Sequence, residues 1–358
     1  MSNEQFSGKN KSKKTNNQTL TRNKEHGTKI YMKNLIYLFS FLVIFGSCTS
    51  CSDNTKPVDD STSNPPKVRV TGPQFNGDSA FVFVKTQVDF GPRIPDTKAH
   101  TACYDYFLSK LKSYGLTVTP QLTSGTTAID GRMVPIMNIF AQFHPERKER
   151  ILLLAHWDTR VFADDDENID LRKSSFDGAS DGASGAAVLL ELARILQQKD
   201  PNIGVDLLFS DTEDGGLNSG AQESWCLGTQ YWAQNMPKDY TARFGILLDM
   251  VGGKNATFPK EGQGMYYAPQ VIEKVWSSAA RLGYSSTFIN QEIQRTVDDH
   301  LYVNQIARIP TIDIVHYDMQ SNRYPSWHHT TKDNMDVIDA TTLRTVGEVL
   351  VDVIYNEM

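Results

Sequence analysis

Apolar runs that end abruptly on acids or histidines are the dominant pattern along this chain. Leu207-Leu208-Phe209 reads as a buried strand that stops at Ser210-Asp211-Thr212 and then at the adjacent carboxylates Glu213 and Asp214. Ile151 to Ala155 runs into His156-Trp157-Asp158, Phe244 to Leu248 runs into Asp249, and Ile309 to Val315 leads towards His328-His329. Successive apolar residues of this kind suit strands buried on both faces. Two further strands are predicted at Leu116 to Thr119 and Asn138 to Phe143, separated by the turn Asp130-Gly131. Helical apolar spacing predicts helices over Ser79 to Val88, Thr97 to Tyr114 (closed by Gly115), Gln270 to Leu282 and Thr341 to Tyr355. The Gly-rich stretch Phe176 to Gly185 opens an Ala- and Leu-rich helix that runs to about Leu196. Together these elements predict an α/β fold with a mixed, mostly parallel central sheet flanked by helices, in a single globular domain.

In an open α/β sheet the ligand crevice lies at the carboxyl ends of the strands. Acids and histidines delivered there reach a ligand while the strand holds them rigidly. Taken singly, each has a plainer reading: a solvated turn for Glu213-Asp214, a helix cap for Asp181. Five such positions converging on one sheet edge point instead to a metal or catalytic site. Asp158, two residues beyond His156, reads either as part of a strand-end turn or as the partner that orients that imidazole.

Composition narrows the setting. A formal net charge of −6 offers no basic patch for nucleic acid. Residues 1–31 are polar and rich in Lys, Asn and Thr, and read as a disordered or misassigned start. Met32-Lys33 and the short apolar stretch Asn34 to Phe45 resemble an export signal, and Gly46-Ser47 before Cys48 resemble a lipoprotein cleavage site. The expected layout is a signal over 32–47, lipidated Cys48 (with Cys51 in reserve), a tether over 48–70 and a catalytic domain over 71–358. The protein is then expected on the periplasmic side of a bacterial membrane, held only by its lipid anchor. Cys103 and Cys226 are read as two buried thiols, and Asp164 to Glu167 as a solvated loop rather than a calcium site. The Gly-rich stretch lacks the Lys-Ser/Thr of a phosphate loop.

The order His156-x-Asp158, Asp181, Glu213-Asp214, Asp249, His329 resembles the zinc aminopeptidases of the zinc-exopeptidase fold and their relatives, the animal-type glutaminyl cyclases. The resemblance runs from about Phe90 to Asp339. Phe90-Gly91-Pro92-Arg93-Ile94-Pro95, Leu189 to Arg194, Asp298-Asp299-His300 and His329-Thr330 with Asp333-Asn334 look closer to the cyclases.

The resemblance implies a bacterial glutaminyl-peptide cyclotransferase that turns the N-terminal Gln of peptides or proteins into pyroglutamate and releases ammonia. One zinc per chain is then expected on Asp181, Asp214 and His329, with Glu213 moving the proton and Asp249 and Asp298 placing the amine. Trp225, Tyr324 and His328 would form the pocket wall, and the expected state is a monomer. In the aminopeptidases His156 and Asp249 would hold a second metal bridged by Asp181, so a dinuclear aminopeptidase is the alternative. A non-catalytic peptide-binding lipoprotein is the second alternative, against which the general base Glu213 argues. Two departures stand out: animal cyclases have two Glu where this chain has Glu213-Asp214, and Trp where it has His328. Asp177 rivals Asp181, but the Asp-Gly-Ala-Ser-Gly context favours Asp181. Asp298 taken alone reads as a helix cap.

Overall fold

The computed structural model describes residues 69–357. The stretches read as start, signal and most of the tether, with Cys48 and Cys51, lie outside the described residues. The chain opens with helices α1 (Gly77–Asp89) and α2 (Lys98–Ser113), followed by strands β1 (Thr117–Thr126), β2 (Met133–Phe143) and β3 (Arg150–His156). Next come α3 (Ala183–Leu196), β4 (Gly204–Ser210), α4 (Leu227–Gln234) and β5 (Gly245–Asp249). The last third holds β6 (Phe258–Lys260), α5 (Gly262–Tyr267), α6 (Pro269–Arg281), β7 (Phe288–Glu292), α7 (Asp299–Tyr302), β8 (Thr311–Val315) and α8 (Ala340–Tyr355). Six strands form one sheet in the order β1-β2-β4-β3-β5-β8, and β6 and β7 pair separately. The four strands from β4 to β8 are parallel, while β2 runs antiparallel to both β1 and β4. The predicted mixed, mostly parallel sheet is therefore observed.

Period-two alternation distributes the strand side chains between two cores. Ile151, Leu153 and Ala155 of β3, Val205, Leu207 and Phe209 of β4, and Ile246 and Leu248 of β5 join the larger cluster with α1, α2, α3, α6 and α8. Leu152, Leu154, Leu208 and Leu247 face the other way, against Trp232 and Ala233 of α4 and against Val303 and Ile309. Helices thus cover both faces, which is why these strands read as unbroken apolar runs. Cys103 and Cys226 are free and buried, as expected. No helix among the described residues is long and apolar enough to cross a membrane.

Two expectations need correction. The β1–β2 hairpin reaches Thr126 and Met133, well beyond the predicted strands, because its outer half pairs through the backbone while its side chains alternate between half-buried and exposed. The acidic run 164–167 is not simply solvated. Asp164 pairs with Arg160, and buried Asp166 accepts from the Thr331 backbone N–H and hydroxyl at 3.0 and 2.7 Å, because this loop packs against the turn that carries His329.

Candidate metal centre

Strand ends bring the predicted residues together. His156 closes β3 and Asp249 closes β5, while Glu213 and Asp214 follow β4 and Asp181 precedes α3. Gly182 is the N-terminal flanking residue of α3 and no side chain caps that helix, so the Asp181 carboxylate is free to face the site. A Cβ on Gly182 would sit 2.6 Å from the His156 ring, so this approach requires glycine. Two buried groups hold the Asp181 loop. Asp333 accepts the N–H of Ser180 and of Asp181 at 2.7 and 3.1 Å, and Arg93 donates to the carbonyls of Asp177 and Gly178 at 2.5 and 2.6 Å. Asp177, the rival ligand, thus contributes its backbone to Arg93 instead.

At the centre, Asp181 lies between two imidazoles. His156 Nε2 is 2.9 Å from Asp181 Oδ1, and His329 Nε2 is 3.4 Å from Asp181 Oδ2 and 3.0 Å from Asp214 Oδ1. His156 Nε2 also reaches Asp249 Oδ1 at 3.4 Å. Asp158 does more than orient His156 from 3.4 Å: its two oxygens accept the N–H groups of Glu213 and Asp214 at 3.0 and 3.3 Å. One carboxylate therefore fixes the whole acidic pair.

The electrostatics follow from crowding. Against the cost of burial, the two histidines hold Asp181 well below the usual carboxylate range. Against burial and the repulsion of Asp181, His329 holds Asp214 low. Those acids in turn raise His329, despite its burial, to about 10. Burial drives Glu213 well up, and Asp214, Asp298 and Asp299 add to the shift. Burial and then Asp249 push Asp298 well up too. Among the described residues no hydrogen bond joins Asp298 to Asp249. Asp298 accepts the Asp299 N–H at 2.6 Å and so caps α7 as well.

A cleft of about 270 Å³ opens over these groups, lined also by Trp225, Tyr324, His328, Asn218 and Val297. Trp225 lies parallel to His329, 9° off with centroids 6.4 Å apart, and His328 stacks on His329 at 3.6 Å. Tyr324 packs on His328 at 4.8 Å. Every predicted site residue among the described residues thus lies in or directly behind this cleft. Sequence reasoning missed four neighbours. The Cys226 thiol donates to Glu213 Oε1 at 3.3 Å, and Asp299 accepts the Ser210 hydroxyl at 2.5 Å. Asp313 is buried in β8 with neither oxygen bonded among the described residues, and Arg160 lies under Trp225. An acid in the apolar run Thr311 to Val315 was the signal available for Asp313.

The donor set fits zinc. Three carboxylates and two imidazoles converge, and His156, Asp181 and Asp214 each offer one atom within 4.8 Å of the others. Asp214 Oδ2 and Asp249 Oδ1 are buried with no hydrogen-bond partner among the described residues, an arrangement that a cation at the centre relieves.

Strand ends that converge carboxylates and imidazoles beneath an aromatic wall define a metal-dependent α/β enzyme of the exopeptidase type. The chain belongs to Peptidase family M28, whose profile matches residues 138–354. It is similar to a Bacteroides thetaiotaomicron glutaminyl cyclase solved with N-acetylhistamine, at 47% identity and a TM-score of 0.78, over 80% of this chain and 100% of that one. A Zn-dependent exopeptidase from Parabacteroides distasonis is 48% identical with a TM-score of 0.77, over 80% of this chain and 99% of that one. The glutaminyl-peptide cyclotransferase of Bos taurus is 25% identical over 60% of this chain, and the match spans 64% of the bovine protein.

Proposed function

We propose that this chain is a glutaminyl-peptide cyclotransferase that acts on peptides or proteins with N-terminal Gln. The observation that carries the reading is the single cleft that buried Glu213, Asp249 and Asp298 line together with Asp181, Asp214 and His329. Asp181, Asp214 and His329 would hold a single zinc, which when bound polarises the γ-carboxamide oxygen and draws the raised pKa of Glu213 back down. Glu213 accepts the proton of the attacking α-amine and passes it to the leaving nitrogen. The α-nitrogen bonds to the side-chain carbonyl carbon, the carboxamide C–N bond breaks, and ammonia departs. Asp249 and protonated Asp298 hold the amine for attack, and Trp225, Tyr324 and His328 wall the pocket against water. The protein works as a monomer in this reading.

A dinuclear aminopeptidase is the second reading, favoured by the approach of His156 to both Asp181 and Asp249. Metal-to-protein ratio measured alongside ammonia release from a Gln-peptide separates the two. One zinc with ammonia release and little hydrolysis of aminoacyl amides is expected; two tightly held zincs with aminopeptidase turnover would replace the first reading by the second. The sequence before residue 69 supports export and lipidation at Cys48. Cys48→Ser is expected to release the protein from membranes, whereas release by Cys51→Ser alone assigns the lipid to Cys51.

A further inference from the structure

Arg160 follows β3 by four residues and is almost completely buried, yet it belongs to no strand or helix. Four of its five N–H donors are used. Nε and Nη2 each donate to an Asp164 oxygen at 2.7 Å, and Nη1 donates to the carbonyls of Asp214 and Gly216 at 2.9 and 3.1 Å. The guanidinium carbon also lies 4.9 Å from the centroid of the Trp225 ring, within cation–π range. Trp225 presses so closely on the same turn that a Cβ on Gly216 would lie 2.1 Å from the indole. The paired carboxylate reaches further, since Asp164 Oδ1 stands 4.0 Å from His329 Nδ1. One side chain therefore touches the turn carrying Asp214, the ring of Trp225 and the acid beside His329.

We infer that Arg160 is a positioning residue that sets the plane of Trp225 over the cleft. Only a planar fork meets these partners together; a lysine ammonium at the same place keeps the charge but serves one or two of them. The inference rests on the cyclase reading in one respect, that substrate packs against Trp225.

Arg160→Lys in the zinc-loaded full chain is the test, read in two independent ways. With Gln-peptide, KM is expected to rise about tenfold while kcat stays within about threefold, the mark of lost ground-state binding. The Trp225→Phe change should then add little to the KM of Arg160→Lys, because both act through one contact. Independently of any reaction, the Trp225 emission, taken as the difference between wild type and Trp225→Phe, is expected to shift in Arg160→Lys. That second reading stands even for a chain that does not cyclise Gln-peptides. Unchanged Trp225 emission, or KM effects that multiply as if independent, overturns the inference. Should Arg160→Lys fail to fold, Asp164→Asn removes the ion pair and leaves the arginine, and a smaller shift of the same emission is expected; no shift overturns the inference equally.

Discussion

The bodies of β3, β4 and β5 and their carboxyl ends, only a few residues apart, are built on opposite terms. Along the bodies nearly every side chain is apolar and buried, and backbone pairing with neighbouring strands satisfies the polar groups. At the ends, Asp158, Asp181, Glu213, Asp214, Asp249 and Asp298 are crowded together and also buried, with Asp214 Oδ2 and Asp249 Oδ1 unbonded among the described residues. A cluster of like charges with unmet hydrogen-bonding capacity is costly in a low-dielectric interior. The strand bodies offset that cost, so the folding core holds in place a site that would not assemble unaided. Substitutions at the two places should therefore fail differently.

The largest expected effect is on chemistry without loss of fold. Glu213→Gln keeps the shape of the side chain and removes the proton acceptor, so kcat should fall by about 10²- to 10⁴-fold. Zinc content and thermal midpoint should stay near wild type; activity within a few-fold of wild type would take Glu213 out of the mechanism. The converse change is Leu208→Ala in the body of β4, where the side chain packs against the α4 face. A cost of about 2–5 kcal/mol is expected in denaturant unfolding, from lost burial and the cavity left behind. Below the unfolding transition kcat should hardly change, and a large kcat loss in folded protein would blur the division drawn here.

The smallest effect concerns pH. Asp214 and Asp181 raise His329, against its burial, from the ordinary imidazole value of about 6.5 to about 10. Because its folded value is raised, its contribution to stability is complete below about 6.5 and is lost as pH rises through about 10. Metal-stripped protein should therefore lose stability across that window. Zinc requires the neutral imidazole, so metal uptake should release protons and tighten as pH rises in the same range. Equal denaturant midpoints for the stripped protein at pH 6 and pH 10 would contradict the pairing with Asp181 and Asp214.

The sheet and the cluster of acids and histidines at its edge were legible because both are written in short apolar runs with abrupt polar ends. Strand ends at His156, Glu213-Asp214 and Asp249 needed no long-range knowledge to be found. What escaped depends on contacts distant in sequence. Arg160 lies in a turn without periodicity, and its partners Asp214 and Gly216 are more than fifty residues away. Cys226 reaches Glu213 because the chain turns back there, with a left-handed φ of 58° at Cys226 and its N–H donating to the Glu213 carbonyl. The outer half of the β1–β2 hairpin carries too little buried apolar surface to announce itself.

Asp158 has a bearing on how such sites diversify. Because its two oxygens grip successive N–H groups of Glu213 and Asp214, the two carboxylates to which the proposed function gives the proton and the metal travel as a unit. A lineage cannot retune one by sliding the strand without displacing the other. New specificities must be drawn from parts that are free to drift, such as the segment Leu217 to Gly228 and the turn holding Tyr324 and His328.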